Sequence, residues 1–141
     1  MSSINAAVGN EQLKKLDRFL ARRRNICRRY DNAFSSMNAL RTLPVDYSEA
    51  APHIYVVRVL DGSRNGLMQS LQEVGIETGL NYIPNHLQPH FRQPGLTLPV
   101  TEQAYREILT LPLHCGLSDA DVESVIGSVQ SFFKHPMEYA Q

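Results

Sequence analysis

The residues that could do chemistry gather in one stretch. From Ile83 to Pro99 the chain carries His86 and His90 among four prolines, Pro84, Pro89, Pro94 and Pro99. Two histidines four apart on a helix would invite a metal ion. Pro89 lies between them, and the prolines interrupt any regular element, so the pair does not read as a metal site. His53, His114 and His135 have no partners at ligand spacing. Nucleophiles fare no better. No GxSxG elbow occurs, and neither Cys27 nor Cys115 has a base that the sequence places beside it. Lysine chemistry needs desolvation or a cationic neighbour. Lys14 and Lys15 sit in a basic amphipathic segment and Lys134 in the tail, so exposed helix positions are the reading for the first two. No glycine-rich phosphate loop is present.

Charge excludes some partners. Lys plus Arg equals Asp plus Glu at 14 each, so overall charge points to neither nucleic acid nor membrane. The basic residues are nevertheless bunched: Lys14, Lys15, Arg18, Arg22, Arg23, Arg24, Arg28 and Arg29 face only Glu11, Asp17 and Asp31. Without interleaved aromatic residues the Arg22–Arg24 and Arg28–Arg29 runs read as a solvated helix face, or as salt bridges to another domain or partner. The 141 residues, 43% hydrophobic and 20% charged, suit one globular domain over 1–141. Two cysteines without CxxC spacing are expected as reduced thiols. There is no apolar leader and no membrane-length apolar run, so a cytoplasmic location is expected.

The elements that must position the loop follow from periodicity. Ile4, Ala7, Val8, Leu13, Leu16, Leu20, Ile26, Cys27, Tyr30 and Phe34 keep helical spacing, which predicts one long helix within residues 1–37, with Ser2 or Ser3 as cap. Its stripe asks for more partner surface than the rest of the chain easily offers. Leu40–Ala51 reads as a connector. His53–Leu60 reads as a strand apolar enough to be covered on both faces, and Asp61–Gly62 as a turn. Arg64–Val74 reads as a helix with Gly75 at C′, Ile76–Tyr82 as a short strand, and Val100–Glu107 as a helix capped by Thr101. Ile108–Leu113 is predicted as a third strand. Ser118–Asp121 opens the last helix with a capping-box-like start. The fold class is α/β, with a small three-stranded sheet and helices in a core over 52–133.

Three ordered stretches carry a resemblance. The first is Met1-Ser-Ser-Ile-Asn-Ala-Ala-Val-Gly9 with Gln12-Leu13, Leu16-Asp17 and Arg22-Arg23. The second is Gly75-Ile-Glu-Thr-Gly-Leu-Asn-Tyr-Ile-Pro-Asn-His-Leu-Gln-Pro-His-Phe91. The third runs from Leu98-Pro-Val-Thr-Glu102 through Leu109-Thr-Leu-Pro-Leu-His114 to Leu117-Ser118. Together they resemble the DegT/DnrJ-type sugar-nucleotide aminotransferases, of which this chain is similar to the C-terminal part. The resemblance implies the small α+β domain of a fold-type I enzyme that uses pyridoxal phosphate to aminate keto-sugar nucleotides, in polysaccharide or deoxyaminosugar biosynthesis, and that works as a dimer. It also implies that the Schiff-base lysine lies upstream of the stretch similar to this chain's first helix. No cofactor is therefore expected on this chain alone, and no catalytic residue is assigned to it.

The resemblance places Asn81–Phe91 near the sugar nucleotide, so Tyr82 and His86 become candidates to hydrogen-bond sugar or phosphate oxygens. Asn81 stands where the family usually has histidine, and an amide cannot supply positive charge there. Arg64 matches a family arginine that either holds its turn or contacts ligand. The plainer reading is that Pro84, Pro89 and Phe91 shape the loop while His86 caps a backbone group; one binding wall alone rarely buries a ligand. Three functional readings stay open: an aminotransferase part inactive by itself, an interaction module that self-associates or complements a lysine-bearing N-terminal half through the first helix, and a stand-alone sugar-nucleotide binder.

Overall fold

The computed structural model describes residues 2–134. Met1 and the tail after Lys134, with His135, lie outside the described residues. Among the described residues, five α-helices and a three-stranded antiparallel sheet make up a mixed α/β fold.

The helix predicted within 1–37 is two helices, α1 (Ser3–Leu13) and α2 (Leu16–Phe34). At Lys15 the backbone N–H bonds to Gln12 O, three residues back, in place of the usual four. Among the described residues α1 buries no side chain, so no core packing holds the two segments on one axis. Ser2 caps α1 by accepting from Asn5 N. The apolar stripe becomes core only in α2, at Ile26, Cys27, Tyr30 and Phe34.

The sheet has three strands as expected, but one of them is elsewhere. β1 (Leu40–Thr42) lies inside the segment read as a connector, and it pairs with β2 (Tyr55–Val59), Leu40 opposite Val59. β2 also pairs with β3 (Ile108–Leu111), Tyr55 opposite Leu111. The expected strand Ile76–Tyr82 is reduced to a single bridge at Gly79, which exchanges both backbone hydrogen bonds with Thr110. A Cβ on Gly79 would meet Asn81 Oδ1 at 3.0 Å, so glycine lets the chain fold back close to that bridge. β2 is not covered equally on both faces. Tyr55, Val57 and Val59 are buried, whereas Val56 and Arg58 are half-buried.

Gly75 ends α3 (Arg64–Glu73) at a positive φ of 78°. The N–H of Ile76 bonds to Leu71 O and that of Gly75 to Gln72 O, the paired bonds of a Schellman termination. α4 (Pro99–Glu107) begins on Leu98 rather than on Thr101, with Pro99 in its first turn. At the start of α5 (Asp119–Lys134) the predicted capping box forms: Asp121 N donates to Ser118 Oγ, and Ser118 N and Oγ both donate to Asp121 Oδ2.

The core lies between the sheet and α2, α3 and α5. Leu67 and Leu71 from α3 meet Val122 and Val129 from α5, all fully buried, and each such side chain contributes about 2 kcal/mol of transfer free energy. α4 packs on the opposite side of β2. The basic run of α2 is internal glue: Arg22 and Arg29 donate to Asp119, Arg29 also to Glu123, and Arg24 to Ala50 O and Ser48 O. The acidic partners on α5 are exposed, so this network orients two helices more than it stabilises them. No described helix is long and apolar enough to cross a membrane.

Candidate functional site

α4 gathers the candidate residues. Its own seat is polar. Arg58, facing away from the core on β2, donates from Nε to Glu107 Oε2 at 2.7 Å and from Nη2 at 2.5 Å, while Gln103 donates to the other carboxylate oxygen. The Gln103 amide and the Arg58 guanidinium hold the Glu107 carboxyl below the usual carboxylate range.

One turn and more back along α4, Glu102 ties down the proline-rich loop. Its Oε1 accepts from Leu98 N at 2.9 Å and lies 3.1 Å from His86 Nε2. The Leu98 N–H, then the imidazole, hold this carboxyl below its ordinary value. His86 sits on the short 3-10 turn Asn85–Leu87 and is buried. It therefore does not cap a backbone group: its described partner is a carboxylate. One atom, Glu102 Oε1, thus clamps both ends of the loop from 86 to 98. Pro84 and Pro89 flank the turn and keep it from growing into a helix.

The loop so held presents its apolar side chains outward. Tyr82 is 75% exposed, and Ile83, Leu87 and Phe91 are exposed beside it. Asn81 is half-buried, joined to Tyr82 by a cis peptide bond. Arg64, the first residue of α3, is buried and stacks over the Tyr105 ring, with its Cζ 5.7 Å from the ring centre. Tyr105 is three residues after Glu102, so Arg64 and His86 meet adjacent turns of α4. The structure thus brings Arg64 and His86 to one helix, and leaves Tyr82 facing solvent.

Sequence reasoning missed Glu102, Tyr105, Arg58 and Glu107. Only Glu102 lay within a motif that could have been singled out, and nothing in spacing links it to a histidine 16 residues away. Chemically, the assembly offers hydrogen-bond donors and acceptors, an exposed phenol and a buried guanidinium. Among the described residues no three His, Cys, Asp or Glu side chains cluster to hold a metal.

The sequence matches the DegT/DnrJ/EryC1/StrS aminotransferase family over residues 1–130. The chain belongs to this family. Solved structures agree. The chain is 36% identical to the aminotransferase TlmJ from Streptoalloteichus hindustanus, covering 94% of this chain and 36% of that one with a TM-score of 0.82. It is 33% identical to a DegT DnrJ EryC1 StrS aminotransferase from Brucella abortus, again covering 94% and 36%, with a TM-score of 0.81. A putative sugar aminotransferase, Spr1654 from Streptococcus pneumoniae, is 30% identical, covering 95% and 35% with a TM-score of 0.82. The chain thus spans little more than a third of the length of these relatives, and its fold matches part of a fold-type I aminotransferase.

Family enzymes use pyridoxal phosphate, and the lysines of this chain do not offer the desolvated amine that a Schiff base to it needs. The chain has three lysines. Lys14, Lys15 and Lys134 are all exposed, and Lys14 Nζ is engaged by Glu11 at 2.6 Å. A lysine that must be neutral to react needs a desolvated setting, which none of the three has.

Proposed function

We propose that this chain is the part of a keto-sugar aminotransferase that lines the sugar-nucleotide side of the active site, and that by itself it transfers no amino group. The observation that carries the reading is the clamp of His86 and Leu98 on Glu102, which fixes the loop and leaves Tyr82 outward. Tyr82 then supplies a phenolic hydroxyl and a ring face to a sugar or nucleotide, with Asn81 and His86 beside it. His86 works mainly by holding the loop, since its Nε2 is already engaged. Arg64 completes the set from the start of α3. Pyridoxal phosphate, in this reading, is held by residues that the chain does not contribute. The enzyme works in the cytoplasm, in polysaccharide or deoxyaminosugar biosynthesis.

The test is direct. Incubated with pyridoxal phosphate and then gel-filtered, the chain should lose all cofactor absorbance. A retained band that borohydride fixes to a lysine would overturn the reading. Calorimetry with nucleotide sugars separates a stand-alone binder from one wall of a larger cleft: heat that persists in Tyr82→Ala counts against the assigned role of Tyr82.

A specific observation also favours an interaction role. α1 is an 11-residue helix with no buried residue, and isolated helices of that length are marginal in water. Ile4, Val8 and Leu13 are exposed on it. The surface that α1 offers is the docking face for a second copy or for a lysine-bearing N-terminal half. Light scattering that finds only monomer, alone and after mixing with that half, would remove the interaction reading.

A further inference from the structure

Arg64 is placed where a helix least wants a cation. It opens α3, whose positive dipole end it faces, and the first turn has no acidic residue to offset it. The hydroxyl of Ser63, at the cap position, caps no N–H of the helix and donates to Asp61 instead. Arg64 is only 8% exposed, and among the described residues its Nε and Nη1 are buried without a hydrogen-bond partner. A buried charged donor left unmet carries its full desolvation penalty. Among the described residues the Tyr105 ring lies against it, and a guanidinium lying over a ring uses its face, leaving its in-plane N–H groups unused.

Arg23 shares the feature in part, with a buried Nε that has no partner among the described residues, but four other arginines are matched. Arg22, Arg29 and Arg58 meet carboxylates, and Arg24 meets carbonyls. For each of these four an in-plane acceptor is supplied. For Arg64 none is, although the residue is long enough to move and always charged.

We infer that Arg64 is a ligand-binding arginine, parked on Tyr105 in the structure described, whose working partner is an oxyanion, a carboxylate or a phosphate group, from outside the described residues. The planar fork matches two oxygens of such a group, and the uncapped start of α3 favours the same charge. The inference rests on the reading of this surface as substrate-facing, because Tyr105 and the His86 clamp share α4. Its test needs no amino transfer and no nucleotide sugar.

Nitrogen-resolved NMR of the whole chain follows the Arg64 Nε–H and the backbone amides of the first turn of α3. Acetate and inorganic phosphate are titrated separately at constant ionic strength. The expected result is a saturable shift with at least one of them. Response to acetate alone assigns a carboxylate, and response to phosphate alone a phosphate group. In Arg64→Lys, read at the α3 amides, binding should weaken about tenfold, because a point charge replaces the fork. In Tyr105→Leu binding should strengthen, because the parked alternative is lost. No saturable shift with either anion overturns the inference. So does a response unchanged in Arg64→Lys, or one abolished in Tyr105→Leu, which would make the stacked pair purely structural. If Arg64→Lys does not fold, wild type and Tyr105→Leu carry the test between them. Failure of nucleotide sugars to bind, with the anion response intact, counts against the proposed function and leaves this inference standing.

Discussion

Removing the Glu107 carboxylate should loosen the helix on which the candidate site is built. Glu107 is 10% exposed at its side chain and Arg58 is 31% exposed. Breaking a fully buried pair costs about 3–5 kcal/mol, because one charge is left uncompensated. Arg58 keeps roughly a third of its surface in water, which re-solvates part of the orphaned guanidinium, so Glu107→Ala should cost about 2 kcal/mol. Glu107→Gln keeps the size and one acceptor but loses the charge, and should cost about 1 kcal/mol. Urea denaturation of Glu107→Gln, Arg58→Met and the double variant gives the coupling energy, expected at about 1 kcal/mol. A coupling below about 0.3 kcal/mol, within the scatter of independent sites, would refute the assignment of this pair as the seat of α4. The pH dependence gives a second check. The folded carboxyl is held below the reference value of 4.5, so its contribution is fully present above that value and is lost as pH falls through the folded pKa. The difference between wild type and Glu107→Gln should therefore be constant from neutrality down to about pH 5 and shrink below it. A difference unchanged to about pH 3 would show that the carboxylate charge is not its source.

Other outcomes follow from the same geometry. Burial, reinforced by Asp31, pushes the Cys27 thiol up from 9.0 to about 11, so near neutrality an alkylating agent should label Cys115, which is partly exposed, and reach Cys27 only on unfolding; equal labelling of the two native thiols would contradict this. Tyr30 donates to Pro112 O from a fully buried ring, and Tyr30→Phe should cost about 1–2 kcal/mol in denaturant melts, because the carbonyl loses its partner. Tyr82→Phe should leave stability within about 0.5 kcal/mol of wild type, while His86→Ala should raise amide exchange across 85–98; the opposite order would mean that the loop is held by Tyr82. Ile4→Asp with Val8→Asp should not shift the unfolding midpoint, since α1 buries nothing, yet should reduce any self-association measured by sedimentation.

What the sequence made legible was whatever one segment decides by itself. Gly75 ends α3 because a left-handed residue is needed there, and Ser118 with Asp121 opens α5 through a local box. Neither needs a distant partner, so residue type and spacing suffice. β1 failed that test: three residues carry no period, and Leu40–Thr42 is a strand only because Val57–Val59 lies opposite. Ile76–Tyr82 failed in the reverse sense, with strand-like residues of which Gly79 alone finds a partner. The candidate site divides along the same line. The prolines that forbid a helix around His86 are written locally, and so is the loop. The clamp on Glu102, the stacking of Arg64 on Tyr105 and the pairing of Arg58 with Glu107 are all contacts between elements, and α4 makes every one of them. That helix was predicted only as an element with a cap at Thr101, yet its first turn is closed by Glu102 reaching back to Leu98. The carboxylate that completes the start of the helix is the one that fixes the loop, so the local fold of α4 and the shape of the candidate site depend on a single side chain. His86, which in sequence was only a loop residue, is thereby one end of a strut from α4, while Tyr82 on the same loop stays exposed.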